Sequence, residues 1–352
     1  MTDPHEGRSG LPTQATAPAS RTFTSGGVGK PDPHLSPMLG TGLAPAIQHA
    51  CGGCLSDIHW FRTDWQRGGA LTGYATYRHA GLDHPVVVKL PVPPQELHWL
   101  RRLQSDQHSF GDVVPRLLAG DMSVNGYDLA WVVMERLPHG PLDSSWHGAE
   151  WNLIVQTLAR FYAAAERYPV DQPPRREDWP DILRRARKHV HNHELAEEQR
   201  WHHALKILHK KSKKLLRVWN ERDIQHWCHG DVHLANVMTR DPAPLPGRPL
   251  PGAMIFDFAC VHAGHWVEDA VYLEHIYWGR EQYFRGHDLV KAVSHERKTL
   301  GLKLESNWPL LANIRRALLA GAAPAYLASE GNPTHIHGSL HVLEHTLPQL
   351  PG

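Results

Sequence analysis

Asp231, Asn236 and Asp257 are the residues whose types and spacing suggest chemistry. The first two lie in Trp227-Cys-His-Gly-Asp-Val-His-Leu-Ala-Asn-Val-Met238, and the third follows Asn236 by 21 positions in Met254-Ile-Phe-Asp-Phe258. Each borders a short apolar run that reads as a strand, so a sheet edge would fix its position. Phosphoryl transfer needs a carboxylate to orient an attacking hydroxyl and receive its proton, plus oxygen ligands for Mg²⁺ ions that neutralise the phosphates. This trio supplies that set. Any one of them alone would read equally well as a turn residue or helix cap. His229 and His233 flank Asp231 and are expected to hydrogen-bond and shape its loop.

The elements that must position these groups fall into two textures. Residues 1–42 read as a flexible tail, because the stretch up to about Pro37 is rich in Gly, Pro, Ser and Thr and poor in large apolar residues. Residues 43–137 read as a small lobe, a five-stranded sheet with one helix, led by a further short helix. Its parts are a short helix over Leu43 to Ala50, a hairpin from Ile58 to Arg78 around Gly68-Gly69, and a strand at Pro85 to Pro91. A helix from Gln95 to Leu103 follows, then two strands that meet at Asn125-Gly126. Residues 138–352 read as a mostly helical lobe, with helical patterns at Glu150 to Tyr168, Trp179 to Val190, Glu194 to Glu221 and Asn307 to Ala328. Strands at Val237-Met238 and Ala253 to Phe258 interrupt it, joined by a proline-rich surface loop, Asp241 to Gly252. The expected class is α+β.

Composition excludes several alternatives. In 352 residues, 37 Lys+Arg nearly cancel 36 Asp+Glu, which removes the broad basic footprint of a nucleic-acid binder. No run approaches the ~18 apolar residues of a membrane span, and the N-terminus lacks a signal-peptide core, so the expected setting is cytoplasmic, without membrane or nucleic-acid partners. The 28 histidines prompt a search for metal sites. Gly26-Gly-Val-Gly-Lys30 fails as a P-loop because Thr24 and Pro31 stand where Gly and Ser or Thr belong. His341-Val-Leu-Glu-His345 reads as a solvated helix face, Cys51-Gly-Gly-Cys54 as a turn, and His189, His191 and His193 as part of a basic segment.

The motif His-Gly-Asp231-x-His-x-x-Asn236 followed by Ile255-Phe-Asp257-Phe resembles the aminoglycoside phosphotransferase and choline kinase-like family, a small-molecule branch of the protein-kinase-like fold. The resemblance spans roughly Ile58 to Leu273. It implies a two-lobed enzyme that moves the γ-phosphoryl group of ATP or GTP, with Mg²⁺, to a small-molecule hydroxyl, antibiotics being among the candidate acceptors. Asp231 becomes the catalytic base, and Asn236 and Asp257 the Mg²⁺ ligands. Lys89 in Val-Val-Val-Lys becomes the phosphate-contacting lysine and Glu96 its helix partner. The stretch Val132-Val-Met-Glu-Arg-Leu-Pro138 becomes the hinge that meets the adenine through Glu135 and Leu137, and Asp269 the brace of the catalytic loop. Ala259 stands where protein kinases carry Gly, which argues against a protein kinase. The intact set argues against a catalytically silent nucleotide-binding scaffold of the same fold.

The acceptor has no motif of its own. Neither helical section is acidic, since basic residues outnumber acidic ones between Asp143 and Asp223 and again after Ala270. The expected acceptor therefore carries at most one positive charge. Trp146, Trp151, Trp266, Trp278 and Trp308 are candidates for flat pocket walls, with core packing the expected role for most of them.

Overall fold

In the computed structural model, the described residues are 35–61, 70–104, 112–142, 150–192, 195–240, 253–326 and 332–351. Strands β1 (Leu55–Phe61), β2 (Leu71–His79), β3 (Leu82–Leu90), β4 (Leu117–Asp121) and β5 (Trp131–Glu135) form one sheet in the order β1-β2-β3-β5-β4. Neighbours in it all run antiparallel. Along β3 the side chains of Val86, Val88 and Leu90 are buried, while Val87 and Lys89 lie on the other, half-buried face, as the two-residue period of a strand requires. β3 begins before Pro85, earlier than expected. Ala80 and Gly81 both take left-handed backbone (φ 50° and 79°), the conformation of a tight two-residue hairpin, and it pairs β2 with β3 along their full length. Asn125 and Gly126 (φ 51° and 80°) make the second expected turn, closed by the Val124–Tyr127 bridge.

Helix α1 (Leu35–Ala50) buries Leu43, Ile47 and Cys51, one turn apart, in a core shared with this sheet. It starts ahead of Leu43 and so takes in the end of the expected tail, whose residues 1–34 lie outside the described residues. It ends at a turn over Cys51-Gly-Gly, as expected. The Gly68-Gly69 and Asp241–Gly252 segments also fall outside them.

Helix α2 (Pro94–Arg102) hangs from the sheet but packs into the core of the second lobe. Its Trp99 meets Trp227, Tyr168 and Phe161 at ring-centroid distances of 4.9, 6.1 and 6.4 Å. The Tyr168 hydroxyl donates to the Arg102 carbonyl at 2.5 Å.

The second lobe comprises α3 (Glu150–Ala165), α4 (Trp179–Asn192), α5 (Glu198–Asn220), α6 (Val267–His275), α7 (Glu281–Phe284), α8 (Leu289–Thr299), α9 (Trp308–Ala322) and α10 (Pro333–Thr346). Two small antiparallel pairs sit within it, β6 (His226–Cys228) with β9 (His262–Gly264) and β7 (Val237–Thr239) with β8 (Ala253–Ile255). The fold is thus the expected α+β, kinase-like one, a five-stranded sheet lobe on a larger helical lobe. Trp151, Trp266 and Trp278 are buried in the helical core, Trp308 packs against it, and Trp146 lies outside the described residues. Among the described residues no helix is long and apolar enough to cross a membrane.

Candidate active site

The loop from β6 to β7 is held from below by Asp269, near the start of α6. Its carboxylate accepts the backbone N–H groups of His229 (2.7 Å) and Gly230 (2.8 Å) and the Tyr162 hydroxyl (3.0 Å). Burial raises this carboxyl above its usual range, against the pull of His229, His262 and the two backbone donors. Gly230 is forced at its position. Its φ is +79°, and a Cβ there would stand 2.2 Å from the Cys260 carbonyl oxygen.

His229 is walled by Phe161 and Phe258. Its Nε2 must donate to the Phe256 carbonyl (3.2 Å), which leaves Nδ1 to accept the Asp231 N–H (3.3 Å). Burial lowers the imidazole pKa, so the ring stays neutral in this bridging role.

The Asp231 carboxylate receives the Tyr272 hydroxyl on Oδ1 at 2.8 Å, and His233 Nε2 lies 3.8 Å from Oδ2. Burial would raise this carboxyl; His233 and the Tyr272 hydroxyl outweigh it and hold the group below its ordinary range. Asn236 donates its side-chain amide to the Asp231 carbonyl (2.9 Å) and, at 3.4 Å, to Oδ2. That spends the nitrogen and leaves Oδ1 as an acceptor.

Asn236 and Asp257 sit beside one another through the β7–β8 pairing, in which Phe256 N–H bonds to the Asn236 carbonyl at 3.1 Å. Asp257 takes left-handed backbone (φ 67°), and its side chain is 35 % exposed. An amide oxygen and an accessible carboxylate are hard donors of the kind Mg²⁺ takes, so the residues present fit that ion.

Lys89 Nζ bonds both oxygens of Glu96, at 2.8 and 2.9 Å, and lies 3.8 Å from Asp257 Oδ1. Burial opposes the ammonium charge, but Glu96 and Asp257 more than offset it and hold Lys89 protonated above its usual range. The structure therefore brings together Lys89, Glu96, His229, Asp231, His233, Asn236, Asp257 and Asp269.

Glu135 and Leu137 lie apart, at and beyond the end of β5. Glu135 pairs across from Val86, so it sits on the order of 10 Å along the sheet from Lys89. Its carboxylate is taken by Arg240 (2.5 and 2.6 Å), which also pairs with Asp112, so only the Glu135 backbone can face a ligand. Among the described residues nothing accepts the Leu137 N–H.

The residues that sequence reasoning missed are Tyr272, Tyr162 and Arg240. Tyr272 follows Asp269 by three positions, so once α6 is known the helical spacing places both toward the catalytic loop.

A second buried network lies under β9. Glu268 accepts from Arg222 Nε (3.0 Å) and the His265 N–H (2.8 Å), and His262 Nε2 lies 3.6 Å from its other oxygen. Burial opposes the Glu268 charge, but His262 and Arg222 hold it far below the carboxylate range. Burial likewise opposes the charged His262, and Glu268 raises it above the ordinary histidine value. Among the described residues no cluster of His, Cys, Asp or Glu is arranged to hold a metal by itself, and all four cysteines are free thiols.

The sequence model of the phosphotransferase enzyme family (APH) matches residues 73–286, well over half of the chain. The chain belongs to this family. As a family member it is a small-molecule phosphotransferase, and its fold agrees with that of other members. An aminoglycoside phosphotransferase from Alicyclobacillus acidocaldarius superposes with a TM-score of 0.52 at 13 % identity, over 84 % of this chain and 90 % of that one. A candidate aminoglycoside phosphotransferase from Ralstonia eutropha JMP134 gives 0.50 at 12 %, over 88 % and 99 %. Spectinomycin phosphotransferase, solved with ADP and spectinomycin, gives 0.46 at 11 %, over 87 % and 93 %. No curated protein sequence matches the chain.

Proposed function

We propose that this phosphotransferase moves the γ-phosphoryl group of ATP or GTP, in the presence of Mg²⁺, to a hydroxyl of a small molecule. The observation that carries the reading is the Asp231 carboxylate, kept ionised and aimed by Tyr272 and Asn236 next to the Lys89–Glu96–Asp257 group.

In this reading the Glu135 carbonyl and the Leu137 N–H receive the base of the nucleotide. Lys89, fixed by Glu96, binds its phosphates. Asn236 Oδ1 and the Asp257 carboxylate would hold Mg²⁺, which when bound neutralises phosphate charge. The acceptor hydroxyl hydrogen-bonds Asp231. As its oxygen forms the new bond to phosphorus, the bond from phosphorus to the bridging oxygen breaks, the proton passes to Asp231, and the nucleoside diphosphate leaves. His229 and Asp269 touch no reacting atom; they hold the loop that carries Asp231.

The test begins with a nucleotide-consumption screen over aminoglycosides, macrolides, amino alcohols, sugars and nucleosides, with mass detection of the added phosphate. With an acceptor in hand, Asp231→Asn is expected to cost ~10²–10⁴-fold in turnover and to leave nucleotide affinity near wild type. A variant that keeps half the wild-type rate removes Asp231 from this role.

A further inference from the structure

Cys51-Gly-Gly-Cys54 has a spacing that allows chemistry, and the phosphotransfer site leaves it unused. It sits where α1 meets the sheet. The Gly52 N–H bonds to the His49 carbonyl (2.9 Å) and the Gly53 N–H to the Gln48 carbonyl (3.1 Å), the paired bonds that close a helix on a left-handed glycine. Both glycines have positive φ, 62° and 76°, and the Cys54 N–H bonds to the Cys51 carbonyl at 3.1 Å. Cys51 to Cys54 is therefore a turn of the I′ pattern, which holds its first and last Cα atoms within ~7 Å. A disulfide takes Cα atoms roughly 4.4–6.8 Å apart, so the backbone has little or nothing to move. Both arms are pinned: the Cys51 N–H bonds to the Ile47 carbonyl at 2.9 Å, and the Cys54 carbonyl accepts the Arg78 N–H of β2 at 2.8 Å.

The two thiols differ in access. Cys51 is buried among Leu43, Ile47 and Leu55, whereas Cys54 is half-buried. Burial, with the Cys54 thiol beside it, pushes the Cys51 thiol up to about 11. Both thiols also act on the hydroxyl of Tyr77, which pairs with Leu55 across β1 and β2, so the two sulfurs share one small space. A buried thiol that keeps its proton is a poor first nucleophile, which leaves Cys54 to open an exchange. Among the described residues no third His, Cys, Asp or Glu joins the pair to complete a metal's shell.

The register of the sheet separates this pair from the phosphotransfer site. Tyr77 pairs with His84 and Thr72 with Lys89, which puts about 17 Å of β3 between the thiols' neighbour and the lysine. The thiols touch nothing that the phosphotransfer reading uses.

We infer that Cys51 and Cys54 form a redox-active dithiol that exchanges with a low-molecular-weight disulfide such as glutathione disulfide. The Cys54 thiolate attacks one sulfur of that disulfide, whose S–S bond breaks; one glutathione leaves and takes up the Cys54 proton, and the other stays on Cys54. The Cys51 sulfur then attacks the Cys54 sulfur, and the second glutathione leaves with the Cys51 proton. Two protein thiols are oxidised to one internal disulfide, and one external disulfide is reduced to two thiols. A reducing milieu returns the pair to thiols by the reverse steps.

The test incubates the full-length native chain with glutathione disulfide, alkylates the remaining thiols and maps the peptides by mass spectrometry, beside the same treatment in guanidinium chloride. The native chain is expected to gain a Cys51–Cys54 link, two hydrogens lighter, that dithiothreitol reverses. Cys51→Ala should stop at a glutathione adduct on Cys54, and in Cys54→Ser the buried Cys51 should be modified at least tenfold more slowly than the wild-type pair closes. The oxidised chain should melt slightly higher than the reduced one, because the turn already has the required geometry and the closed loop is short. The inference is overturned if the link forms only in guanidinium chloride or not at all, or if the glutathione adduct persists on wild-type Cys54. It is equally overturned if Cys51 in Cys54→Ser is captured as fast as the wild-type pair closes, or if oxidation lowers the melting temperature.

Discussion

The Tyr272 hydroxyl donates a 2.8 Å hydrogen bond to Oδ1 of Asp231, joining the first helix after β9 to the loop carboxylate. One bond performs two tasks. It removes a rotational freedom of the carboxylate, and it stabilises the ionised form against burial. Removing it with Tyr272→Phe keeps the ring and deletes only the donor. Hydrogen bonds to charged groups are worth about 1.5–3 kcal/mol, so turnover should fall roughly 10- to 100-fold while nucleotide affinity stays put. Steady-state kinetics beside a nucleotide-binding titration separates the two; an unchanged kcat would show that the bond is incidental to catalysis.

Lys89 and Glu96 should behave as a unit. Lys89→Ala leaves a buried carboxylate unpaired, and Glu96→Ala loosens the ammonium. In a double-mutant cycle on kcat/KM their losses should fall short of additivity by about 0.5–3 kcal/mol. Additive losses would mean that Glu96 does not position Lys89.

Gly230→Ala should be among the most damaging changes of its size. The new Cβ would have to displace the Cys260 carbonyl from 2.2 Å, and φ +79° is unfavourable to any residue with a Cβ. Strained backbone of this kind costs about 1–3 kcal/mol, which would appear as a lower denaturant midpoint. Loss of turnover is expected to exceed that loss of stability, because Asp231 is the next residue. Wild-type activity in this variant would show that the β6–β7 loop can shift without consequence.

The His262–Glu268 pair predicts how stability depends on pH. His262 has a folded pKa above its unfolded value of ~6.5, so its contribution is complete below ~6.5 and is lost as pH rises through the raised value. Glu268 has the opposite sign. Its contribution is present above ~4.3 and is lost as pH falls toward its depressed value. Melting temperature should therefore decline on the alkaline side of ~6.5. His262→Gln should flatten that decline and cost about 1–3 kcal/mol at pH 6. A wild-type profile that is flat from pH 6 to 9 would contradict the pairing.

Asp231, Asn236 and Asp257 stood out as a group in the sequence because phosphoryl transfer restricts the side chains that could serve; few residues other than Asp and Asn place oxygen donors beside such short strands. Lys89 and Glu96 entered through the family resemblance, and the structure sets them 2.8 Å apart. Other parts were hidden for identifiable reasons. Strands β6 and β9 are three residues each, too short to show a period. The start of α1 carries Pro37, Gly40 and Gly42, poor helix formers. Packing overrides that preference, since even a methyl group at Gly40 would crowd Leu71 to 2.9 Å. Tyr272 looks in sequence like another core aromatic, and only the folded helix reveals that its hydroxyl ends at Asp231.

The setting of Trp99 bears on how firmly α2 is held. Helix α2, which presents Glu96 to Lys89, is riveted to the larger lobe through a fully buried indole enclosed by Trp227, Tyr168 and Phe161. Swinging it outward would strip a tryptophan from its aromatic cage, at a cost of several kcal/mol, at about 25 cal/mol for each Å² exposed. With α2 in this place, Lys89 Nζ and Glu96 Oε1 stand 2.8 Å apart. The tie runs through a buried side chain, so the larger lobe's core sets where Glu96 stands and, through it, where the Lys89 ammonium is held.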